Sequence, residues 1–237
     1  MTDFAGKRVL VLGGSRGIGA SIVRHFASAG ASVAFTFSGS KDAADALATE
    51  TGASAHKADS AVREETVAAV RDAGVLDILV VNAGVAIMGD PLKLEADAVD
   101  RLIDINVRSP YHAAVEAGRT MADNGRIIII GSVNGDRVPG PGFTAYALSK
   151  SAMQGLARGL ARDFGSRGIT VNTIQPGPVD TDMNPADGPF SGMLLSLMAI
   201  KRYAHADEIA ALALFLAGPD AALITGTTHT IDGGLGI

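Results

Sequence analysis

The sequence contains no cysteine. That excludes disulfides, thiolate metal sites and cysteine nucleophiles, and it fits a reducing, cytoplasmic setting. The five histidines (His25, His56, His112, His205 and His229) are scattered, with no pair at metal-ligand spacing, so no metal is expected. Clustered Lys and Arg are also missing, and the net charge is −5. Nothing electrostatic therefore points to a nucleic-acid partner. The longest apolar stretch, ILVVNAGVAIMG, is interrupted by Asn82 and Gly84 and is far too short to span a bilayer. The polar residues before the apolar pattern at Arg8 do not suit a signal peptide. What remains is a chain of 237 residues, 47% hydrophobic and 19% charged, the composition of a soluble globular protein with a substantial core.

Short apolar runs alternate with longer segments of helical spacing. Strands are expected at 8–12, 32–37, 54–58, 77–82, 126–132, 169–174 and 229–232, and helices at roughly 17–29, 41–51, 61–73, 95–122, 145–165 and 206–217. Strands rich in Val and Ile on both faces belong to a parallel sheet covered on both sides. The repeated strand–helix–strand order predicts an α/β Rossmann fold, a doubly wound parallel seven-stranded sheet with helices on both faces. No linker or internal repeat divides the chain, so residues 1–237 are read as one domain. Segment 182–200, DMNPADGPFSGMLLSLMAI, begins as a Pro/Gly loop and ends apolar, as suits a mobile lid.

The first strand runs directly into Gly13-Gly14-Ser15-Arg16-Gly17-Ile18-Gly19. Glycines here let the chain turn sharply and let a pyrophosphate approach the N-terminus of the following helix. The spacing is G-x3-G-x-G rather than the common G-x-G-x-x-G, and a turn that needs glycine only for backbone freedom is the plainer reading. The second strand ends Thr36-Phe37-Ser38-Gly39, without the carboxylate that would bond the ribose 2′-hydroxyl of NAD. Arg16 inside the loop and Lys41 just beyond Ser38 favour a 2′-phosphate instead, hence NADP(H) over NAD(H), unless Arg16 is an idle surface charge. Asp59 and Ser60, after strand three, are placed to meet an adenine. Asn82-Ala83-Gly84, ending strand four, offer small residues beside a cofactor ribose, though all are ordinary turn residues too.

Between Gly131 and Lys150 the chain reads GSVNGDRVPGPGFTAYALSK. Its glycines and prolines make a loop that can fold back and bring Ser132 toward Tyr146 and Lys150, which share a helix face at i and i+4. An ammonium beside a phenol is expected to lower the Tyr146 pKa below its usual value of about 10.

Taken together, GGSRGIG, Asn82-Ala83-Gly84, Ser132, Tyr146-x-x-x-Lys150, Pro176-Gly177 and ITGTTHTIDGG resemble the short-chain dehydrogenase/reductases across essentially the whole chain. The nearest branch in resemblance is the 3-oxoacyl-[acyl-carrier-protein] reductases. This resemblance implies a catalytic set of Asn106, Ser132, Tyr146 and Lys150, with Lys150 holding the nicotinamide ribose and Ser132 bonding the substrate oxygen. It also implies nicotinamide contacts from Pro176, Gly177, Val179 and Thr181, and a homotetramer or dimer built through the long helices. Ser132, Asn134, Tyr146 and Met183 are the expected substrate contacts.

Pro110, four residues after Asn106, cannot donate to the Asn106 carbonyl, so the long helix should kink there and free that carbonyl for a water; a kink serving packing alone is the alternative. The serine-to-tyrosine spacing is 14, one more than those reductases usually have. The extra residue lies near Asn134, Asp136 and Arg137, which either recognise a polar substrate or pair with each other at the surface.

Two functions follow. The leading one is an NADP(H)-dependent carbonyl reductase. The other, suggested by finer matches in GSVNGDR, QPGPVDTDMNPADGP, LMAIKR and HTIDG, is a regulator that binds cyclic-di-GMP in the same groove.

Overall fold

The structure, a computed structural model, describes residues 3–237. Within them seven strands form one parallel sheet: β1 (Arg8–Leu12), β2 (Ser32–Phe37), β3 (Ser54–Lys57), β4 (Ile78–Val81), β5 (Arg126–Ile130), β6 (Thr170–Pro176) and β7 (Thr228–Ile231). Their order is β3-β2-β1-β4-β5-β6-β7, so the chain winds outward from β1 first one way and then the other. The crossover leaves a crevice at the carboxyl ends of β1 and β4, where ligands bind in sheets of this type.

The helices are α1 (Gly17–Ser28), α2 (Lys41–Thr51), α3 (Arg63–Asp72), α4 (Ala96–Ile103), α5 (Ser109–Thr120), α6 (Thr144–Phe164), α7 (Ser191–Leu197) and α8 (Ala206–Ala217). Alternate residues of the central strands feed two cores. Val9, Val11, Ile78, Val80, Ile128 and Ile130 pack beneath α1 and α8, while Leu10, Leu12, Leu79, Val81, Ile127 and Ile129 pack beneath α5 and α6. Burial on both faces explains why these strands read as unbroken apolar runs. Among the described residues, no helix is long and apolar enough to cross a membrane.

Two sequence expectations need correction. The helix expected over 95–122 is α4 and α5 joined by a wider π turn, Asp104–Arg108, in which the Ser109 N–H donates to the Asp104 carbonyl. Pro110 has no N–H for the carbonyl four residues before it, so the ordinary helical ladder fails at this point. Strand five is also shorter than expected, which leaves Ser132 beyond its end.

Candidate active site

Glycine loop and α1. The loop after β1 is built to be thin. Gly13 has a φ of +75°, and a Cβ there would stand 2.7 Å from Ala83 Cα. A Cβ on Gly19 would stand 2.2 Å from the Gly13 carbonyl oxygen and 2.6 Å from Asn82 Nδ2. Asn82 Nδ2 donates to that same carbonyl at 2.7 Å, and Ala83 N–H donates to Leu12 O at 2.8 Å. Asn82 and Ala83 therefore bolt β4 to the loop, a scaffold role where the sequence suggested only room for a ribose. No acidic residue lies in the first turn of α1, and Arg16 at its N-cap makes no side-chain capping bond. The first N–H groups of α1 thus lack a carboxylate and face the crevice, an arrangement suited to a phosphate.

Charges around the crevice. Arg16 Nη1 pairs with Asp182 at 3.3 Å, linking the glycine loop to the start of the lid. Lys41 pairs with Asp45 one turn along α2, and Ser38 is exposed beside it. Asp59 accepts the Ala61 N–H at 2.9 Å and pairs with Arg101 at 3.1 Å. Its carboxylate, which the sequence suggested for an adenine, is thus already engaged; Ser60 beside it is partly buried. Asp136 and Arg137 do not pair with each other: Gln154 Nε2 donates to Asp136 at 2.7 Å, and Arg137 donates to Ile237 O at 2.9 Å.

The Ser132–Tyr146–Lys150 set. The return loop brings these three residues together at the carboxyl ends of β4 and β5. Lys150 Nζ lies 5.8 Å from the centre of the Tyr146 ring and donates to Ile130 O at 3.3 Å. A Cβ on Gly84 would stand 3.3 Å from Lys150 Nζ and 3.4 Å from Asn106 Oδ1, so Gly84 lies directly against both side chains and leaves them room. Ser132 is buried, and its Oγ accepts the Asn134 N–H at 3.2 Å.

The Asn106 side chain is fully committed. Its Nδ2 donates to Val85 O at 2.9 Å and to Ser149 Oγ at 3.0 Å, and its Oδ1 accepts from Val85 N–H at 2.9 Å. Ser149 in turn donates to the Tyr146 carbonyl at 2.8 Å. Sequence reading missed Ser149; its one signal is a position three residues after Tyr146, on the buried side of α6.

The expected lowering of the tyrosine is overturned. Burial pushes the Tyr146 phenol up from 10.0, and the nearby Ser132 hydroxyl pulls it only partway back. Lys150, 5.8 Å from the ring centre, does not reverse this. Burial also pushes the Lys150 ammonium down from 10.5 to about 8.

The lysine shift carries a stability consequence. The unfolded chain binds the Lys150 proton more tightly than the fold does, so stability rises with pH between about 8 and 10.5. Below that window the buried charge costs about 3 kcal/mol. Lys150→Met should therefore melt higher than wild type at pH 7, by about 5–10 °C, with the gap closing near pH 10.5. Thermal melts at both pH values check this, and an equal or lower melting temperature at neutral pH would contradict it.

Toward the lid, Thr181 sits against Gly17, where a Cβ would stand 3.1 Å from the threonine methyl. Pro176 ends β6, Gly177 and Val179 follow in the turn, and Val179 pairs with Ala204. Met183 is exposed and Asn134 partly buried.

Comparison with known proteins agrees across the whole length. The family model described as Enoyl-(Acyl carrier protein) reductase matches residues 13–236. The cyclic-di-GMP-binding biofilm dispersal mediator protein of Escherichia coli (strain K12) is 61% identical over 236 residues, covering 100% of each chain. A crystal structure of BdcA in complex with NADPH superposes with a TM-score of 0.97 at 62% identity, over 98% of this chain and 96% of that one. A short chain dehydrogenase from Burkholderia cenocepacia J2315, in complex with NADP, gives 0.96 at 45% identity, over 99% of both chains.

Proposed function

The chain belongs to the short-chain dehydrogenase/reductase family, and we propose from that premise that it is an NADP(H)-dependent reductase converting a carbonyl to an alcohol. The observation that carries this reading is the convergence of Ser132, Tyr146 and Lys150 over Gly84 at the crevice. A binding module has no use for a proton donor held there.

The residues fit the cofactor. Gly13 and Gly19 keep the loop thin, the Gly13 N–H being held by Thr36 Oγ1 at 2.9 Å, and Ser15, Gly17, Ile18 and Gly19 would offer backbone N–H groups to the pyrophosphate. Arg16, Ser38 and Lys41 take the 2′-phosphate, for which Arg16 must leave Asp182. Asp59 and Ser60 would border the adenine, and Asn82, Ala83 and Gly84 would receive the ribose. Pro176, Gly177, Val179 and Thr181 border the nicotinamide. When bound, NADPH supplies hydride.

The chain's own residues do the rest. Ser132 holds the substrate oxygen, and Asn134 and Met183 are the further substrate contacts of this reading. Tyr146, a phenol protonated at neutral pH and pushed further that way by burial, donates its proton to that oxygen as it gains charge. Lys150 steadies the ribose and the emerging phenolate. The Asn106 carbonyl, which Pro110 cannot bond, would hold a water that returns a proton through Lys150. A panel of ketones and acyl thioesters followed by NADPH absorbance tests the assignment, with turnover of at least one member expected. A second reading, suggested by the name of the E. coli relative, is that the same crevice binds cyclic-di-GMP for regulation. If NADPH goes unoxidised across the panel while that dinucleotide binds tightly, this reading replaces the first.

The assembly belongs to the proposal too. Between α5 and α6 lies an open groove of about 440 Å³, lined in part by Tyr111, Leu156, Gly155 and Gly159. A Cβ at either glycine would meet nothing within 4 Å, so packing within the chain does not require them. Each costs a helix interior about 1 kcal/mol against alanine. Close approach of a second copy accounts for both, and a homo-oligomer, a tetramer or dimer, follows. Gly159→Arg should reduce the assembly to smaller species by light scattering while preserving the fold. An unchanged mass would sink this part.

A further inference from the structure

A third small core lies outside the two beneath the sheet. Val133, Met198 and Leu235 bury one another, with Leu195 packed alongside. Its members come from three distant segments: the loop that carries Ser132, the lid, and Asp232–Ile237. Of lid residues 182–200, all of them described, Met198 alone is buried; Met183, Phe190, Met193 and Leu197 are exposed. The lid therefore meets the body chiefly through this cluster.

The segment that supplies Leu235 is built to reach it. Gly233 and Gly234 have φ of +63° and +78°, a region that favours glycine. Their Cβ positions would stand 2.7 Å from Met198 Cε and 2.7 Å from Ala199 Cβ respectively. Gly233 O accepts the Ile200 N–H at 2.8 Å. Asp232 accepts from Gly234 N–H at 2.9 Å and from Gly236 N–H at 2.6 Å, curling the chain so that Leu235 points inward. A Cβ on Gly177, in the turn after β6, would stand 2.6 Å from Asp232 Cα. Arg137 closes the buckle by donating to Ile237 O at 2.9 Å.

We propose that Leu235 is a positioning residue, which fills the gap between Val133 and Met198 and so fastens the end of the lid to the loop bearing Ser132. The effect on reaction rests on the reductase reading above; the anchoring itself does not. A lid wall fixed through side-chain packing holds substrate geometry, and small displacements there are costly in rate.

The test uses the full chain with Leu235→Ala and Leu235→Met. In the alanine variant, amide hydrogen exchange over 193–200 should quicken about tenfold or more, with β1 and β4 unchanged. On the fastest carbonyl of the panel, kcat/KM should fall about tenfold, with kcat itself lowered, and NADPH affinity stay within about twofold. Leu235→Met should restore both, since it refills the volume. Unchanged lid exchange, or exchange quickened equally in the sheet, overturns the proposal. Selective lid loosening in a protein that reduces no carbonyl upholds the anchor and discards the reductase assignment.

Discussion

Tyr146→Phe is expected to slow carbonyl reduction by roughly a thousandfold while NADPH affinity stays within about twofold. The substitution removes one hydroxyl and leaves the ring in place, so the site keeps its shape. It removes the proton donor that burial holds in its neutral form. A phenol that keeps its proton at neutral pH is a ready acid for reduction, and a base for the reverse reaction only as pH rises. Reduction should accordingly be insensitive to the phenol below pH 10, and oxidation of the product alcohol should speed up as pH is raised. Rates measured from NADPH absorbance, beside fluorescence titration of NADPH, check both parts. A variant as active as wild type would remove Tyr146 from the chemistry.

The second large effect is structural. Gly19→Val should lower stability by about 3 kcal/mol or more, because no rotation of the new side chain relieves the clash at Cβ. That atom would stand 2.2 Å from the Gly13 carbonyl and 2.6 Å from Asn82 Nδ2, so it must break the bond that joins β4 to the glycine loop. A melting temperature lower by about 10 °C and loss of NADPH binding are expected together. Gly155→Ala is the control. With nothing within 4 Å of its Cβ, it should leave the melting temperature unchanged or slightly raised if the chain is held apart as a monomer. Equal effects at the two positions would show that the loop is not held by this contact.

Much of this architecture was legible in the sequence. The limits of β1, β2 and α2 follow from apolar runs and turn residues, since burial on both faces leaves a strong local signal. The approach of Ser132 to Tyr146 and Lys150 was legible in part, because Tyr146 and Lys150 share one helix face and the Gly/Pro loop lets the chain fold back. What stayed hidden depends on contacts between distant segments. Arg16 and Asp182 meet across 166 residues, and no local pattern pairs them. Leu235 follows a glycine pair with no local pattern that marks it as buried, yet it packs against Val133 and Met198. The Tyr146 shift was misjudged for a related reason: spacing places the ammonium near the phenol, but only the fold shows how strongly burial acts on both. The π turn was half visible, as Pro110 marks where the helix must yield but not how it does so.

The most direct test of the account follows the hydride. NADPH carrying deuterium on one face of nicotinamide C4 is supplied with the carbonyl turned over fastest, and the product is examined by mass spectrometry and NMR. The account predicts deuterium on the carbinol carbon for one labelled face and not the other, with the signal lost in Tyr146→Phe. Unlabelled product from both faces, or no reduction of any carbonyl while cyclic-di-GMP binds in the crevice, would contradict it.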